Sequence, residues 1–136
     1  MTGLPSHNMG PAANAFRQQV REWLAEHWTS DRRSAHLRKP FKERGWDSEF
    51  SRLMGQNGWI GVGWPKHFGG QGRSPTEQIA YVTEIANAEA PVLAHSIGES
   101  IVAQALFLHG NKEQQDEWLS AIRGGERTFA LGYSEP

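Results

Sequence analysis

The chain has 136 residues, of which 38% are hydrophobic and 21% charged, and these values fit one globular domain with a buried core. The formal net charge of −1 argues against nucleic acid or an anionic membrane surface as a partner. Cysteine is absent, which excludes a disulfide scaffold, a zinc–thiolate site and a cysteine nucleophile, and suits a reducing cytoplasm.

Targeting and metal-binding signals are absent from the sequence. Residues 1–10 have neither a basic start nor an apolar stretch, so no signal peptide is predicted. The most apolar segment, "IVAQALFL", is short and interrupted by Gln104, so no membrane span is predicted. The six histidines are dispersed and no carboxylate cluster joins them, so a metal site is not expected.

The first elements are a tail, a helix and a charged loop. Residues 1–11 are predicted to be a disordered tail. A helix over 15–28 follows, because Phe16, Val20 and Leu24 recur at helical spacing. Residues 29–45 are polar and charged and are predicted to be a loop with a solvated basic run, with a CoA-phosphate contact as the alternative.

A second helix is predicted over 46–58, with Gly58 as its left-handed C-terminal cap. The stretch that follows, "WIGVGWPKHFGGQGRS", is rich in glycine and aromatic residues. It begins as G-x-G but lacks the third glycine and a following helix, so a phosphate-binding loop is excluded on spacing and context. A packed aromatic loop is predicted instead.

The third helix has a clear start at Ser74-Pro75-Thr76-Glu77, a capping box with proline at the first helical position. Its apolar residues recur at helical spacing, which predicts that they form one buried face. The residues predicted to be buried on this helix are Ile79, Val82, Ile85 and Ala86.

Two further helices and a strand are predicted in the last third. The helix over 96–110 is apolar nearly all round, which is typical of a central helix, and Gly98 permits close approach of another backbone or a ligand. The next helix begins at Asn111 and ends at Gly124-Gly125. Thr128, Phe129, Leu131 and Tyr133 suit a strand.

One strand alone leaves its backbone hydrogen bonds unsatisfied. The sequence therefore predicts an all-α, bundle-like domain over 12–126 and a strand at 127–136 that would begin a sheet lying outside this chain. Three acidic residues on or near the apolar helices are candidates for a general base. For Glu84 a solvated helix face is the preferred interpretation, whereas Glu89 and Glu99 are left open, and no catalytic residue is assigned.

Two segments carry a resemblance to a known family. "GWIGVGWPKHFGGQGRSP" resembles the acyl-CoA dehydrogenase loop that reads roughly G-W-x-G-x-x-x-P-x-x-x-G-G-x-G. "LFLHGNKEQQDEWLSAIRGGERTFALGYSEP" resembles the next part of that family, an apolar helix, a G-x-x-x-Q-x-x-x-L motif and a strand ending in T/S-E-P. The similarity runs from Phe16 to Pro136 and looks most like the branch that handles CoA thioesters of lipids and sterol fragments.

The resemblance implies a fold and a reaction. Such enzymes have an all-α N-terminal domain, a β-barrel middle domain and a C-terminal helical bundle, and they form tetramers that bind FAD. They dehydrogenate an acyl-CoA at the α and β carbons. The catalytic glutamate lies in the C-terminal bundle, so the chain is expected to be an N-terminal portion, truncated at the start of the barrel and inactive alone.

The resemblance also implies roles for particular residues. The closing segment matches the first flavin-contacting strand, so Leu131, Gly132, Tyr133 and Ser134 are expected to bind FAD. The apolar helix matches the one that lines the acyl pocket. Its candidate wall residues are Ile97, Gly98 and Ile101.

Three functions remain open at this stage: a dehydrogenase that passes electrons to an electron-transfer flavoprotein, an acyl-CoA oxidase of the same fold, and a non-catalytic helical module or subunit. The partners expected for the first are an acyl-CoA substrate and further subunits in a homo- or hetero-tetramer, in the cytoplasm.

Overall fold

The computed structural model describes residues 8–133. The described residues form seven α-helical segments, which are α1 Pro11–His27, α2 Ser30–Leu37, α3 Ser48–Gln56, α4 Pro75–Asn87, α5 Ala103–His109, α6 Lys112–Gln114 and α7 Ser120–Arg123. A π-helical turn at Gly98–Val102 leads directly into α5, and a second at Gln115–Leu119 joins α6 to α7. Short 3₁₀ turns lie at Phe41–Glu43, Lys66–Phe68 and Leu93–His95.

The helices belong to two compact units. The first comprises Met1–Arg44 with Arg73–Ala90, and the second comprises Gly45–Gly72 with Pro91–Pro136. The first unit thus contains α1, α2 and α4, and the second contains α3, α5, α6 and α7. The prediction of an all-α domain is confirmed.

Helix α1 packs along α4 in the first unit. The α1 residues Phe16, Val20 and Leu24 are at most 5% exposed, as their helical spacing predicted. The helix begins at Pro11, earlier than expected, because proline suits the first helical position. Of the tail predicted at 1–11, residues 1–7 lie outside the described part of the chain.

A buried ion cluster joins α1 to α4. Glu84 accepts two hydrogen bonds from Arg21, at 2.8 and 2.9 Å, and its carboxylate lies 3.4 Å from the Arg17 guanidinium. The Arg17 and Glu84 side chains are each only 7% exposed. The interpretation of Glu84 as a solvated residue was therefore wrong, because two arginines one helical turn apart neutralise it inside the unit.

The loop predicted over 29–45 is also wrong in part, because α2 lies within it. Its start is capped by Thr29, whose side chain accepts from the Arg32 amide. His36 is buried at the edge of the Trp28 ring, and this burial outweighs the low apolar content of the segment. Arg33 of the basic run forms an ion pair with Glu89.

Helix α4 begins where the capping box predicted, with the Ser74 side chain and Glu77 each bonded to the other's backbone amide. The predicted buried face is only partly right. Ile85 is buried, but Ile79 and Val82 are 56% and 61% exposed, and Ala86 is also exposed. The side of α4 that is buried carries Ala80, Tyr81, Glu84 and Ile85.

In the second unit, α3 is capped by Asp47 and leads to Gly58, whose φ of 74° is left-handed as predicted. The following loop, residues 58–72, buries four large side chains, which are Trp59, Ile60, Val62 and Trp64. The prediction of a packed aromatic loop is confirmed, since these aromatics fill the interior of the unit rather than leaving a cradle for a phosphate.

The helical stretch 96–109 combines Ser96 and Ile97, the first π turn and α5. Gly98 and Ala103 are buried, but Ile101 is 41% and Leu108 74% exposed. The prediction of a central helix was therefore wrong for the unit as described, because one apolar side of the stretch faces outward. In the stretch 112–123, Leu119 and Ile122 are at most 4% exposed.

The strand predicted at 127–136 is not formed over 127–133, where the chain belongs to neither a helix nor a strand. A strand needs a neighbour to pair its backbone groups, and the described residues supply none. Residues 134–136 of the prediction lie outside the described residues.

Candidate functional site

The residues expected to contact the flavin lie on the segment 126–133. Leu131 is 38% and Tyr133 83% exposed, although both are large and apolar for most of their surface. A methyl group added at Gly132 would meet nothing within 4 Å. Both side chains and the backbone at Gly132 are therefore accessible, and the binding of FAD by these residues stays a prediction. Ser134, the fourth expected residue, lies outside the described residues.

Phe129 fixes this segment to the rest of the second unit. Its ring meets the Trp118 ring edge-on, with a centroid distance of 6.0 Å. The Arg127 guanidinium lies over the same tryptophan ring, 5.8 Å from its centroid. The segment is thus held by two side chains before it reaches Leu131, a role for Phe129 that the sequence pattern did not indicate.

Gly98 is the point at which this segment meets the apolar helix. A Cβ added to Gly98 would lie 3.1 Å from the Phe129 ring and 3.4 Å from Ile122. A close approach to Gly98 therefore exists, but within this chain it is made by the Phe129 side chain and not by the backbone or ligand that was predicted. Gly98, a predicted pocket residue, thus lies against Phe129. Phe129 is two residues before Leu131, the first residue expected to contact the flavin.

The other two pocket candidates lie on the same helical stretch. Ile97 is half-buried and Ile101 is 41% exposed, one turn further along. An apolar groove of about 350 Å³ lies along the same helical stretch, but none of the three pocket candidates lines it. Its lining consists of the apolar residues Val102, Ala105, Leu106, Trp118 and Phe129 together with His109, Gly110 and Gln114.

Glu99, on the first π turn, makes two contacts with the loop 58–72. Its carboxylate accepts a hydrogen bond from the Gly61 amide. Its backbone carbonyl accepts a second, 3.1 Å long, from the Trp64 indole. Burial raises the pKa of Glu99 to about 7, and the Gly61 hydrogen bond opposes that rise only in part. Sequence reasoning left this residue open, and the structure gives it a backbone partner.

A buried histidine–serine pair also lies in the second unit. His95 Nε2 is 3.0 Å from Ser51 Oγ, and both residues are at most 2% exposed. Burial lowers the pKa of His95, which favours the neutral ring. The pair has the composition of a nucleophile and base, but a substrate has no access to it, so it acts as a core contact. Glu89, the third acidic candidate, forms the ion pair with Arg33 on the first unit and is not part of this site.

Two classes of site are not found. Residues 8–133 contain no group of three or more His, Asp or Glu side chains that could hold a metal ion. Among these same residues, no helix has the length and apolar character needed to cross a bilayer.

Comparison with known proteins gives a consistent result. The family described as acyl-CoA dehydrogenase, N-terminal domain, matches residues 10–126. Acyl-CoA dehydrogenase FadE26 of Mycobacterium tuberculosis is 36% identical over 129 residues, which is 93% of this chain and 32% of the relative. The chain thus spans about a third of the length of the curated relatives it matches.

Solved structures agree with the sequence relatives. The crystal structure of the ChsE4-ChsE5 complex from Mycobacterium tuberculosis matches with a TM-score of 0.79 and 35% identity, over 93% of this chain and 31% of that chain. The Tcur3481-Tcur3483 steroid ACAD matches with a TM-score of 0.77 and 31% identity, over 96% and 34% of the two chains. The chain belongs to the acyl-CoA dehydrogenase family and has the helical fold of that family's N-terminal domain.

Proposed function

We propose that this chain is the N-terminal portion of an FAD-dependent dehydrogenase that removes hydrogen from the α and β carbons of an acyl-CoA thioester. The observation that carries the proposal is the contact of Phe129 with Gly98 in a chain of this family. It holds the segment assigned to the flavin next to the helix assigned to the acyl group, which is the juxtaposition that such a reaction requires.

The residues divide into two groups by role. Leu131, Gly132, Tyr133 and Ser134 would hold FAD, and Ile97, Gly98 and Ile101 would bound the acyl group. FAD, when bound, would supply the acceptor for the hydrogen that leaves the β carbon. The residues of this chain orient the thioester and exclude water from it.

No residue of this chain is assigned as the catalytic base. Glu99 is bound to the Gly61 amide and Glu84 to two arginines, so neither carboxylate is free to approach a substrate carbon. We therefore expect the 136-residue chain alone to show no acyl-CoA oxidation. An isolated chain that oxidises an acyl-CoA with added FAD would contradict this assignment.

The substrate class and the partners are proposed by analogy with the relatives. One matching structure is described as a steroid ACAD, and both structural relatives are named as pairs of proteins. These descriptions favour CoA thioesters of lipid or sterol fragments and an assembly that contains more than one kind of chain, which we propose to be a tetramer. Electron-transfer flavoprotein is the proposed electron acceptor, and the cytoplasm the proposed location.

A chimera tests the proposal directly. This chain would replace the matching third of FadE26, and the purified protein would be examined for flavin absorbance and for reduction of an artificial electron acceptor that depends on a steroid side-chain acyl-CoA. We expect bound flavin and turnover in the chimera and neither in this chain alone. A folded chimera that binds flavin but oxidises no acyl-CoA would refute the proposed activity.

Ile101→Phe and Leu108→Phe test the pocket in that chimera. Phenylalanine at Ile101 would reduce the space for the acyl group and shift the ratio of kcat/KM values towards shorter acyl chains by about tenfold. Leu108 is 74% exposed two turns further along the helix and provides the matched control, which should leave the preference unchanged. The full-length protein to which this chain is proposed to belong, assayed with oxygen and with electron-transfer flavoprotein, would separate an oxidase from a dehydrogenase.

A further inference from the structure

Glu99 joins the loop 58–72 to the helical stretch 96–109 through two hydrogen bonds. Glu99 accepts the Gly61 amide through its side chain and the Trp64 indole through its backbone. Trp64 continues the contact two turns later, where its ring meets Phe107 edge-on at 5.3 Å between centroids. The loop 58–72 therefore contacts the helical stretch at two places, Glu99 and Phe107.

The π turn is part of this junction. The Ala103 amide bonds to the carbonyl of Gly98, one residue further back than in a regular α-helix. In a regular α-helix that amide would engage the Glu99 carbonyl instead. Here the Glu99 carbonyl accepts the Trp64 indole, so the wider turn and the loop contact are two parts of one arrangement.

The backbone of the loop at Gly61–Trp64 is preorganised for the contact with Glu99. Gly61 has a φ of 76°, which side chains other than glycine rarely adopt, and a Cβ there would lie 2.7 Å from the Trp64 ring. The Trp64 amide bonds to the Gly61 carbonyl at 3.0 Å, which closes the turn that presents both donors to Glu99. Trp64 itself is 4% exposed. The two donors thus come from one compact, preorganised turn.

We propose that Glu99 is a positioning residue, which holds the π turn against the loop 58–72 and so fixes the location of Ile97, Gly98 and Ile101 on the pocket helix. The assignment of those three residues to an acyl pocket rests on the proposed function. The mechanical link between loop and helix does not, and it is tested separately.

The first experiment uses the 136-residue chain without any ligand. Biosynthetic labelling with 5-fluorotryptophan gives one ¹⁹F resonance for each of the six tryptophans, and that of Trp64 is identified by its absence in Trp64→Phe. Glu99→Gln keeps an oxygen that can accept the Gly61 amide, whereas Glu99→Ala removes it. Glu113→Ala, an exposed glutamate on α6, is the matched control.

We expect Glu99→Ala to shift the Trp64 resonance and to speed amide hydrogen exchange in residues 98–103 by about tenfold, while Glu99→Gln restores most of both. Glu113→Ala should change neither. Unchanged exchange and an unchanged Trp64 signal in Glu99→Ala would overturn the proposal. Should Glu99→Ala fail to fold, Glu99→Asp provides the comparison, because its carboxylate is one methylene too short to reach Gly61, and a signal equal to that of Glu99→Gln would then overturn it.

The second experiment separates this inference from the proposed function. In the FadE26 chimera, Glu99→Ala should raise KM for the acyl-CoA by about tenfold with a smaller change in kcat, and Glu99→Gln should restore KM. A folded, flavin-binding chimera with Glu99 intact that oxidises no acyl-CoA would refute the function and leave the ligand-free result standing. An active chimera with the same KM in both variants would refute the positioning role.

Discussion

Replacing Glu99 by glutamine should change the way in which the stability of the chain depends on pH. Burial raises the pKa of Glu99 from 4.5 to about 7 in the folded chain, and unfolding returns it to its ordinary value. Between these two values the folded state keeps a proton that the unfolded state releases. The contribution of Glu99 to the free energy of unfolding is therefore full below pH 4.5 and falls as the pH rises towards 7. Glutamine does not titrate and removes this fall.

The size of the effect follows from the same pKa. Each pKa unit corresponds to about 1.4 kcal/mol, so the change from 4.5 to about 7 amounts to about 3.5 kcal/mol. The Glu99 side chain is half-buried, and its contact with water reduces this to about 2 kcal/mol. Burial raises the pKa of Glu99, the Gly61 amide opposes that rise, and no cation among the described residues compensates the ionised carboxylate.

His95, one turn before Glu99, acts in the opposite direction. Burial lowers the pKa of His95 below its ordinary value of 6.5. Its contribution to stability is therefore present above pH 6.5 and is lost as the pH falls through the lower, folded-state pKa. The two effects overlap in the parent chain, so its own pH profile is flatter than Glu99 alone would make it. A difference between variants that share His95 isolates Glu99.

The assay is urea unfolding followed by tryptophan fluorescence at pH 5, 6, 7 and 8 and constant ionic strength. The quantity compared is the free energy of unfolding of Glu99→Gln minus that of the parent chain. This difference should become more favourable to the variant by about 2 kcal/mol between pH 5 and pH 8. The value of this difference at a single pH also includes the change in hydrogen bonding caused by the substitution. Only its dependence on pH therefore reports the titration of Glu99.

A difference that stays constant across the range would refute the reasoning, because it would mean that Glu99 titrates at its ordinary value in the folded chain. Glu113→Gln provides the control, since Glu113 is exposed on α6. Its difference from the parent chain should be flat. A slope in that control equal to the slope of Glu99→Gln would assign the effect to net charge rather than to burial.

Three further predictions concern single contacts. Gly61→Ala should lower the free energy of unfolding by about 2 kcal/mol in urea titrations, because the new methyl meets the Trp64 ring in a backbone conformation that alanine disfavours. Glu84→Gln should lower it by about 3 kcal/mol in the same assay, since Arg17 loses its carboxylate inside the first unit. Phe129→Ala should speed hydrogen exchange in residues 126–133, measured by mass spectrometry, because the ring that holds this segment is removed.

Each of these has its own control or contrary outcome. Gly45→Ala places a methyl where nothing lies within 4 Å and should cost less than about 0.5 kcal/mol, so an equal loss in both glycine variants would contradict the steric argument. Glu22→Gln removes an exposed carboxylate from α1 and should be nearly neutral. Exchange in 126–133 that is already complete in the parent chain at the earliest time point would show that Phe129 does not hold the segment.

The sequence predicted those parts of the fold that local interactions decide. The start of α4 followed from the capping box at Ser74, and the turn at Gly58 from its need for a positive φ. Both signals act within a few residues, so neither depends on tertiary structure. The pattern of 96–109 likewise predicted a helix, although not the π turn inside it.

The predictions from the sequence were wrong where contacts between distant residues determine which side chains are buried. Ile79 and Val82 have the spacing of a buried face, but α1 packs on the side of α4 that carries Glu84. The two arginines that neutralise Glu84, Arg17 and Arg21, lie more than sixty positions before it in the sequence. Helix α2 has few apolar residues and is missed by periodicity.

In the candidate site, the resemblance supplied residues that local patterns did not. Composition and spacing gave only an apolar helix and a terminal strand, whereas the family motif indicated Leu131 and Ile101. Neither the local patterns nor the resemblance indicated the contact of Phe129 with Gly98 or the two hydrogen bonds of Glu99. These contacts join residues that are far apart in the sequence, so they depend on the tertiary structure. A glycine in an apolar helix was the one usable signal, and it correctly indicated a close approach at Gly98.

Glu84 on α4 and Glu99 on the first π turn show two different consequences of burying a carboxylate. Glu84 is compensated by Arg17 and Arg21, so its charge is matched inside the unit and contributes to fixing α1 on α4. Glu99 receives a backbone amide and no cation among the causes of its pKa shift, so its ionisation near pH 7 places an uncompensated charge at the junction of loop and helix. A change of protonation at Glu84 would require breaking an ion cluster, whereas at Glu99 it requires only a change of pH. The junction of the loop 58–72 and the helical stretch 96–109 is therefore sensitive to pH through Glu99, and the profile of Glu99→Gln measures that sensitivity.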